Sequence, residues 1–287
     1  MPTFSALSHP SSHRQPRKIM DIENKTVVLT GASGGIGRAI AKVLDAAGAR
    51  LVLVGRNVEK LHALQSDLTG SSHIEVAADL NTSSGRVKLY RACDELGQNG
   101  VGVLINCLGI NELRLFSEQT EESIARQIQT NLLCPILVCH DLLPLLQEQP
   151  EALIVNIGST FGSIGYPGFS GYCASKFGLR GFTEALRREL CDTTVEVSYV
   201  APRATQTDLN SDSINAMNEA LGTNTDDPAL VAAEVLSTIR SRSGADCYIG
   251  WPEKLFVRIN ALLPGIVDSS LRKQLPLIRR FAQISIN

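Results

Sequence analysis

Three residues in the second half of the chain have the types and the spacing for proton chemistry at an oxygen atom. Ser159 stands thirteen positions before Tyr172, and Lys176 stands four positions after it. Residues four apart share one face of a helix, so an ammonium group would sit beside a phenol. A free phenol has a pKa of about 10 and is a poor base at neutral pH; a nearby positive charge favours phenolate and brings it toward the working range. Taken alone, the pair reads equally as two side chains sharing an exposed helix face. The elements that would position these residues decide between the readings.

A chain of 287 residues is long enough for one large α/β domain or two small ones. Hydrophobic residues at 44% and charged residues at 20% are ordinary for a globular protein. A formal net charge of −2 offers no general attraction to nucleic acid, so no such partner is expected. Seven cysteines, at 93, 107, 134, 139, 173, 191 and 247, form no C-x-x-C pair and read as reduced, mostly buried thiols of a cytoplasmic protein. No metal site is read from the sequence. Without an uninterrupted run of about 20 apolar residues, no spanning helix is expected. Residues 1–20 read as a disordered basic extension, a transit peptide being the alternative.

Order begins with the apolar, β-branched run Thr26–Thr30, which suits a buried parallel strand. It runs into Gly31-Ala32-Ser33-Gly34-Gly35-Ile36-Gly37 and a helical pattern over 38–48. Strand, glycine turn and helix are the parts of a dinucleotide site: the glycines let backbone approach pyrophosphate, and the helix start presents free N–H groups. No Gly-Lys-Ser/Thr follows, which disfavours a P-loop. A second strand over 50–54 ends in Gly55-Arg56. An acidic residue there would suit the ribose hydroxyls of NAD; Arg56 suits the 2′-phosphate of NADP, or else is an exposed loop arginine. Ser33 would add a hydroxyl to the same phosphate.

Helical patterns over 58–68, 85–96, 121–146 and 172–191 alternate with strands Ile74–Ala77, Val101–Asn106, Ala152–Ile157 and 195–200. This alternation predicts a doubly wound parallel sheet with ligands at the carboxyl ends of its strands. Asp79, beside Leu80 at one such end, would accept from an adenine amino group or cap the next helix. Asn131 in an apolar helical stretch is a water anchor or a site residue, because a buried amide needs partners. Ser159 falls just past the fifth strand.

In order and spacing, Thr30-Gly31-x-x-x-Gly35-x-Gly37, Asp79, Asn106 with Gly109, Asn131, Ser159, Tyr172-x-x-x-Lys176, Pro202 and Thr207 resemble the short-chain dehydrogenase/reductase family over about residues 25–250. The resemblance implies a Rossmann-like, doubly wound sheet of about seven parallel strands in the order 3-2-1-4-5-6-7, one domain over 21–250, and a homodimer or homotetramer. It implies that Tyr172 exchanges a proton with a substrate carbonyl and that Ser159 donates to the carbonyl oxygen. Lys176 would hold the nicotinamide ribose and lower the tyrosine pKa, and Asn131 would anchor a water leading to Lys176. The residues implied to hold NADP(H) are Gly31, Ser33, Gly34, Gly35, Ile36, Gly37, Arg56, Asp79, Leu80, Asn106, Gly109, Tyr172, Lys176, Pro202 and Thr207.

Two departures from the family pattern stand out. Asn106-Cys107-Leu108-Gly109 replaces Asn-Asn-Ala-Gly, and altered packing is expected from it. Pro202-Arg203 replaces Pro-Gly, and Arg203 either recognises an anionic substrate group or points to solvent. Residues 206–228 are polar and correspond to a substrate lid. After a last strand over 246–250, residues 251–287 carry apolar residues at helical spacing and six Lys or Arg against two Asp or Glu. Such an amphipathic tail lies in a membrane interface, on a dimer partner or over the substrate cleft. The expected function is NADPH-dependent hydride transfer to a carbonyl, or the reverse on a secondary alcohol, of an apolar, fatty-acyl-like substrate. A non-catalytic NADP sensor and an epimerase are the alternatives.

Overall fold

The structure, a computed structural model, describes residues 19–70, 72–97 and 100–284. Most of the expected N-terminal extension lies outside these residues. Its last member does not: Met20 is fully buried and its N–H donates to the Arg240 carbonyl at 2.9 Å, so the folded body starts before residue 21.

Seven strands, β1 (Thr26–Thr30), β2 (Arg50–Gly55), β3 (Ile74–Ala77), β4 (Val101–Asn106), β5 (Ala152–Ile157), β6 (Val195–Ala201) and β7 (Asp246–Tyr248), form one sheet in the order β3-β2-β1-β4-β5-β6-β7. Every pairing is parallel. Buried on both faces, β1, β4 and β5 are apolar along most of their length rather than alternating. Register aligns Val54 and Asn106 with Thr30, and Asn106 with Asn156, so the carboxyl ends of the central strands are level. The order reverses between β1 and β4, where such sheets open a crevice.

Helices α1 (Gly35–Ala46), α2 (Val58–Ser66) and α8 (Pro228–Ser241) cover one face, with Ile40, Leu44, Leu61 and Val235 in its core. Helices α3 (Ser83–Asp94), α5 (Cys134–Gln147) and α6 (Ser170–Glu189) cover the other, with Leu89, Val138, Leu142 and Leu186. The single helix expected over 121–146 is α4 (Glu121–Ile128), a π-helical turn Gln129–Leu133, and α5. Wide turns of this kind occur at functional sites, and this one carries Asn131. Residues 121–147 are long and apolar enough to cross a membrane by composition. In the fold, Val138, Cys139, Leu142 and Leu146 of this segment are packed against the sheet.

Helix α7 (Asp212–Ala220) lies within the lid segment, and α9 (Glu253–Leu262) and α10 (Pro264–Ile284) form the tail. The second of these, α10, is one continuous helix that runs through Pro276. Its inward side is fixed by Ile278 and Ala282, both fully buried in a third apolar cluster with Leu113, Phe169, Tyr172, Ile214 and Met217. Tail and lid are thereby two walls of one small core.

Candidate active site

The turn after β1 packs so closely that Gly31 and Gly37 leave no room for a Cβ. Gly31 has φ +66°, and a Cβ there would stand 2.8 Å from the Cys107 carbonyl oxygen; one at Gly37 would stand 2.2 Å from the Gly31 oxygen. Helix α1 starts at Gly34 without a side-chain cap, which leaves its first-turn N–H groups available to an anion. This cradle fits the pyrophosphate of a dinucleotide. Ser33 Oγ lies 3.2 Å from where a Cβ of Gly55 would be, so the glycine turn and the end of β2 meet. Arg56, just beyond, is exposed and pairs with no carboxylate among the described residues.

Across the switch in strand order, Ser159 follows β5 with its backbone gripped by a residue absent from the sequence argument. Tyr199 on β6 is fully buried; its hydroxyl accepts from the Ser159 N–H and donates to the Ser159 carbonyl, both at 3.2 Å. The signal for it is a pair of glycines: a Cβ on Gly158 or Gly162 would fall 2.0 to 2.2 Å from the Tyr199 ring or hydroxyl. Ser159 Oγ accepts from the Phe161 N–H at 3.1 Å, so its own proton is left to donate. It lies close enough to Tyr172, which enters from the first turn of α6, to draw that phenol's pKa down.

Lys176, one turn on, is buried and donates to the Ile157 carbonyl at 3.0 Å, leaving two further donors. Asn131 is fully buried: its Oδ1 accepts from the Ile110 N–H, and its Nδ2 donates to the Ile110 carbonyl, each at 2.8 Å, and to Ser175 Oγ at 3.1 Å. Ser175 donates in turn to the Tyr172 carbonyl at 2.7 Å. The π turn thus ties the loop after β4 to the helix that carries the tyrosine. A Cβ at Gly109 would lie 3.8 Å from Lys176 Nζ and 3.9 Å from Asn131 Oδ1, so that glycine leaves open the space between them.

The expected depression of the phenol by Lys176 is not what the protein groups produce. Burial pushes Tyr172 up to about 12, with only the neighbouring Ser159 hydroxyl pulling it down. Burial also lowers Lys176 to about 8, with Cys107 opposing weakly. The ammonium stands 5.8 Å from the tyrosine ring centroid and bonds to a carbonyl instead. At neutral pH the pair is therefore a protonated phenol beside a charged lysine.

A cavity of about 530 Å³ runs from the glycine turn past Ser159, Tyr172 and Lys176 to the lid and the tail. Of the expected residues, Gly31, Gly34, Gly35, Ile36, Gly37, Gly109, Ser159, Tyr172, Lys176, Pro202 and Thr207 line it. Ser33, Arg56 and Asp79 lie toward the carboxyl ends of β1 to β3, outside that lining, and Leu80 is buried in the core beside them. Asp79 does not cap α3: Thr82 does, accepting from the Gly85 N–H, while Asp79 accepts from Asn81 N–H at 3.1 Å. Asn106 faces inward and donates to Asn156 Oδ1 at 2.9 Å, a strut between β4 and β5. The far wall comes from Phe161, Tyr166 and Phe169, packed ring on ring in stacked, tilted and edge-to-face pairs, and from Phe256, Ile259 and Leu271 of the tail.

Arg203 does neither thing expected of it. Its guanidinium makes a two-pronged bond to Asp226 at 2.7 and 2.9 Å and reaches Glu253 at 3.0 Å and the Trp251 carbonyl at 3.2 Å. Asp226 closes the base of the lid, where its backbone pairs with that of Ala204 and Gln206. The arginine is a latch between lid and tail, with its charge already satisfied.

With this geometry in view, comparison with known proteins places the chain. The short chain dehydrogenase family model matches residues 25–218. A 3-oxoacyl-[acyl-carrier-protein] reductase of Bos taurus is 36% identical over 199 residues, 69% of this chain and 81% of that protein. Dehydrogenase/reductase SDR family member 7B of Mus musculus is 32% identical over 268 residues, 88% of this chain and 83% of that protein. A crystal structure of a dehydrogenase/reductase from Sinorhizobium meliloti 1021 superposes with a TM-score of 0.72 at 28% identity, over 80% of this chain and 94% of that one. The chain belongs to the short-chain dehydrogenase/reductase family. It is an oxidoreductase that binds a nicotinamide cofactor and acts on a small molecule.

Proposed function

We propose that the protein is an NADPH-dependent carbonyl reductase, or the matching alcohol dehydrogenase, for an apolar substrate of fatty-acyl character. The observation that carries this reading is Tyr172, a buried phenol beside Ser159 in the lining of a cavity whose far wall is aromatic and aliphatic. Similarity to 3-oxoacyl-[acyl-carrier-protein] reductases agrees with it. NADP is favoured over NAD by Arg56 at the end of β2, by Ser33 beside it, and by Gly55 in place of an acid.

In reduction Tyr172 donates its proton to the carbonyl oxygen, and Ser159, oriented by the Phe161 N–H and held by Tyr199, donates a hydrogen bond to the same oxygen. A placed donor at the atom where negative charge develops lowers the barrier strongly. Bound cofactor supplies the hydride. Of the two free donors of Lys176, one would hold a ribose hydroxyl and the other would reach a water in the gap at Gly109 that joins Lys176 to Asn131 and returns the proton. A sensor or scaffold would have no use for a buried ammonium, whose desolvation is costly. We further infer a cytoplasmic location, supported by cysteines that are all free, and a homodimer or homotetramer, supported by Leu133 and Phe177, exposed on the neighbouring π turn and α6; a monomer in light scattering would contradict the assembly.

Tyr172→Phe removes the proton and little else. Reduction of a ketone panel should drop by roughly 100-fold or more, the scale of general acid catalysis, while NADPH binding measured by fluorescence persists. Undiminished turnover would reject the assignment. Arg56→Asp should cut the preference for NADP over NAD by about tenfold or more, as expected for one charge-assisted contact; an unchanged ratio of the two dissociation constants would remove Arg56 from the site.

A further inference from the structure

The turn between α9 and α10 displays an uncharged run. Residues 261–266 are all exposed, with Leu262 at 79%, Leu263 at 57% and Ile266 at 58%. Trp251, Leu255 and Phe256 of the same tail are exposed as well. Single apolar residues are normal on a surface, whereas a contiguous set marks a contact. The same hairpin is basic: Lys254, Arg258, Arg272 and Lys273 are exposed and form no ion pair among the described residues. Of its two acids, Glu253 is consumed by Arg203, which leaves Asp268. Finally, the exposed set continues into the cleft, because Phe256 and Ile266 line the cavity together with Ile259, Val267 and Leu271.

We propose that the α9–α10 turn seats in the surface of an anionic lipid bilayer and that the cleft takes its apolar substrate from that surface. Leucines at the tip enter the acyl boundary while the flanking lysines and arginines meet anionic headgroups, the division of labour of an interfacial helix. A second copy of this chain fits less well, since a symmetric dimer places each patch against itself and would set basic hairpin against basic hairpin. The docking half stands on exposure and charge; the delivery half rests on the carbonyl reductase reading.

The test uses the full chain, because Ile278 and Ala282 make the tail part of the site and cutting it away would open the cleft. Wild type should co-sediment with vesicles of phosphatidylcholine plus phosphatidylglycerol, less with phosphatidylcholine alone, and less again in high salt. The double variant L262D/L263D, at positions outside the cavity lining, should bind anionic vesicles at least about tenfold more weakly, as two leucines then no longer leave water. Its melting temperature and its turnover of a small water-soluble ketone should match wild type, while its turnover of a ketone dissolved in the vesicles should fall. Equal sedimentation of variant and wild type, or none by wild type, overturns the docking. Self-association that the variant abolishes, without vesicle binding, overturns it in favour of a second copy. If docking holds but neither ketone is reduced, the reductase reading fails and takes the delivery half with it.

Discussion

Burial, more than mutual attraction, sets the protonation of Tyr172 and Lys176. A phenol pushed up to about 12 is a proton donor across the physiological range, the form that reduction requires, and it handicaps the reverse reaction, which needs the phenolate. Lys176, lowered to about 8, is the group that titrates first. It carries its charge below pH 8 and loses it above, so kcat/KM for NADPH should fall on an alkaline limb near pH 8. A limb that begins only near 10 would show that the lysine is not the titrating group. The residue types and spacing were readable because Tyr-x-x-x-Lys follows helix geometry. Tyr199 and Ser175, which hold Ser159 and Asn131 in place, were not, because they act across strands and through backbone groups that no local spacing records.

Among the elements, the lid and the tail depart most from what local pattern suggests. Arg203, where the family has glycine, bridges the lid base at Asp226 and the start of α9 at Glu253 with a side chain only 15% exposed. Arg203→Ala should lower stability by roughly 1 to 3 kcal/mol, the range for charge-assisted hydrogen bonds whose partners are left behind. Hydrogen exchange should then quicken in residues 205–226 and 251–262 together. Faster exchange in only one of the two would break the latch interpretation. Trp251, the one tryptophan in the chain, offers a second readout, since Arg203 bonds to its carbonyl. Strand limits for β1, β4 and β5 were legible in full because buried parallel strands are short apolar runs. The continuity of α10 through Pro276 was not, because packing of Ile278 and Ala282 overrides local propensity there.

For the molecule as a whole, the two faces of the sheet bury groups that resist ionisation. Burial pushes the thiols of Cys93, Cys107, Cys134 and Cys139 from 9.0 up to about 12. A folded pKa raised above the unfolded one means that the native state holds the extra proton, so the stabilisation is complete below pH 9 and is lost as pH rises toward 12. Lys176 acts the other way between 8 and 10.5, but it is one group against four. The melting temperature should fall progressively above pH 9, and a flat profile from 9 to 11 would contradict the burial of these thiols. The alternation of strands and helices, the glycine turn and the serine-to-tyrosine gap were determined by the sequence itself, because each depends on local periodicity or on spacing along one connection, whereas the order of the strands followed from the family resemblance. The tertiary structure alone decided the sign of the tyrosine shift, the partners of Arg203 and the use of the tail as a wall of the cleft. Those depend on how far water is excluded and on contacts between residues such as 203 and 253, which only packing brings together.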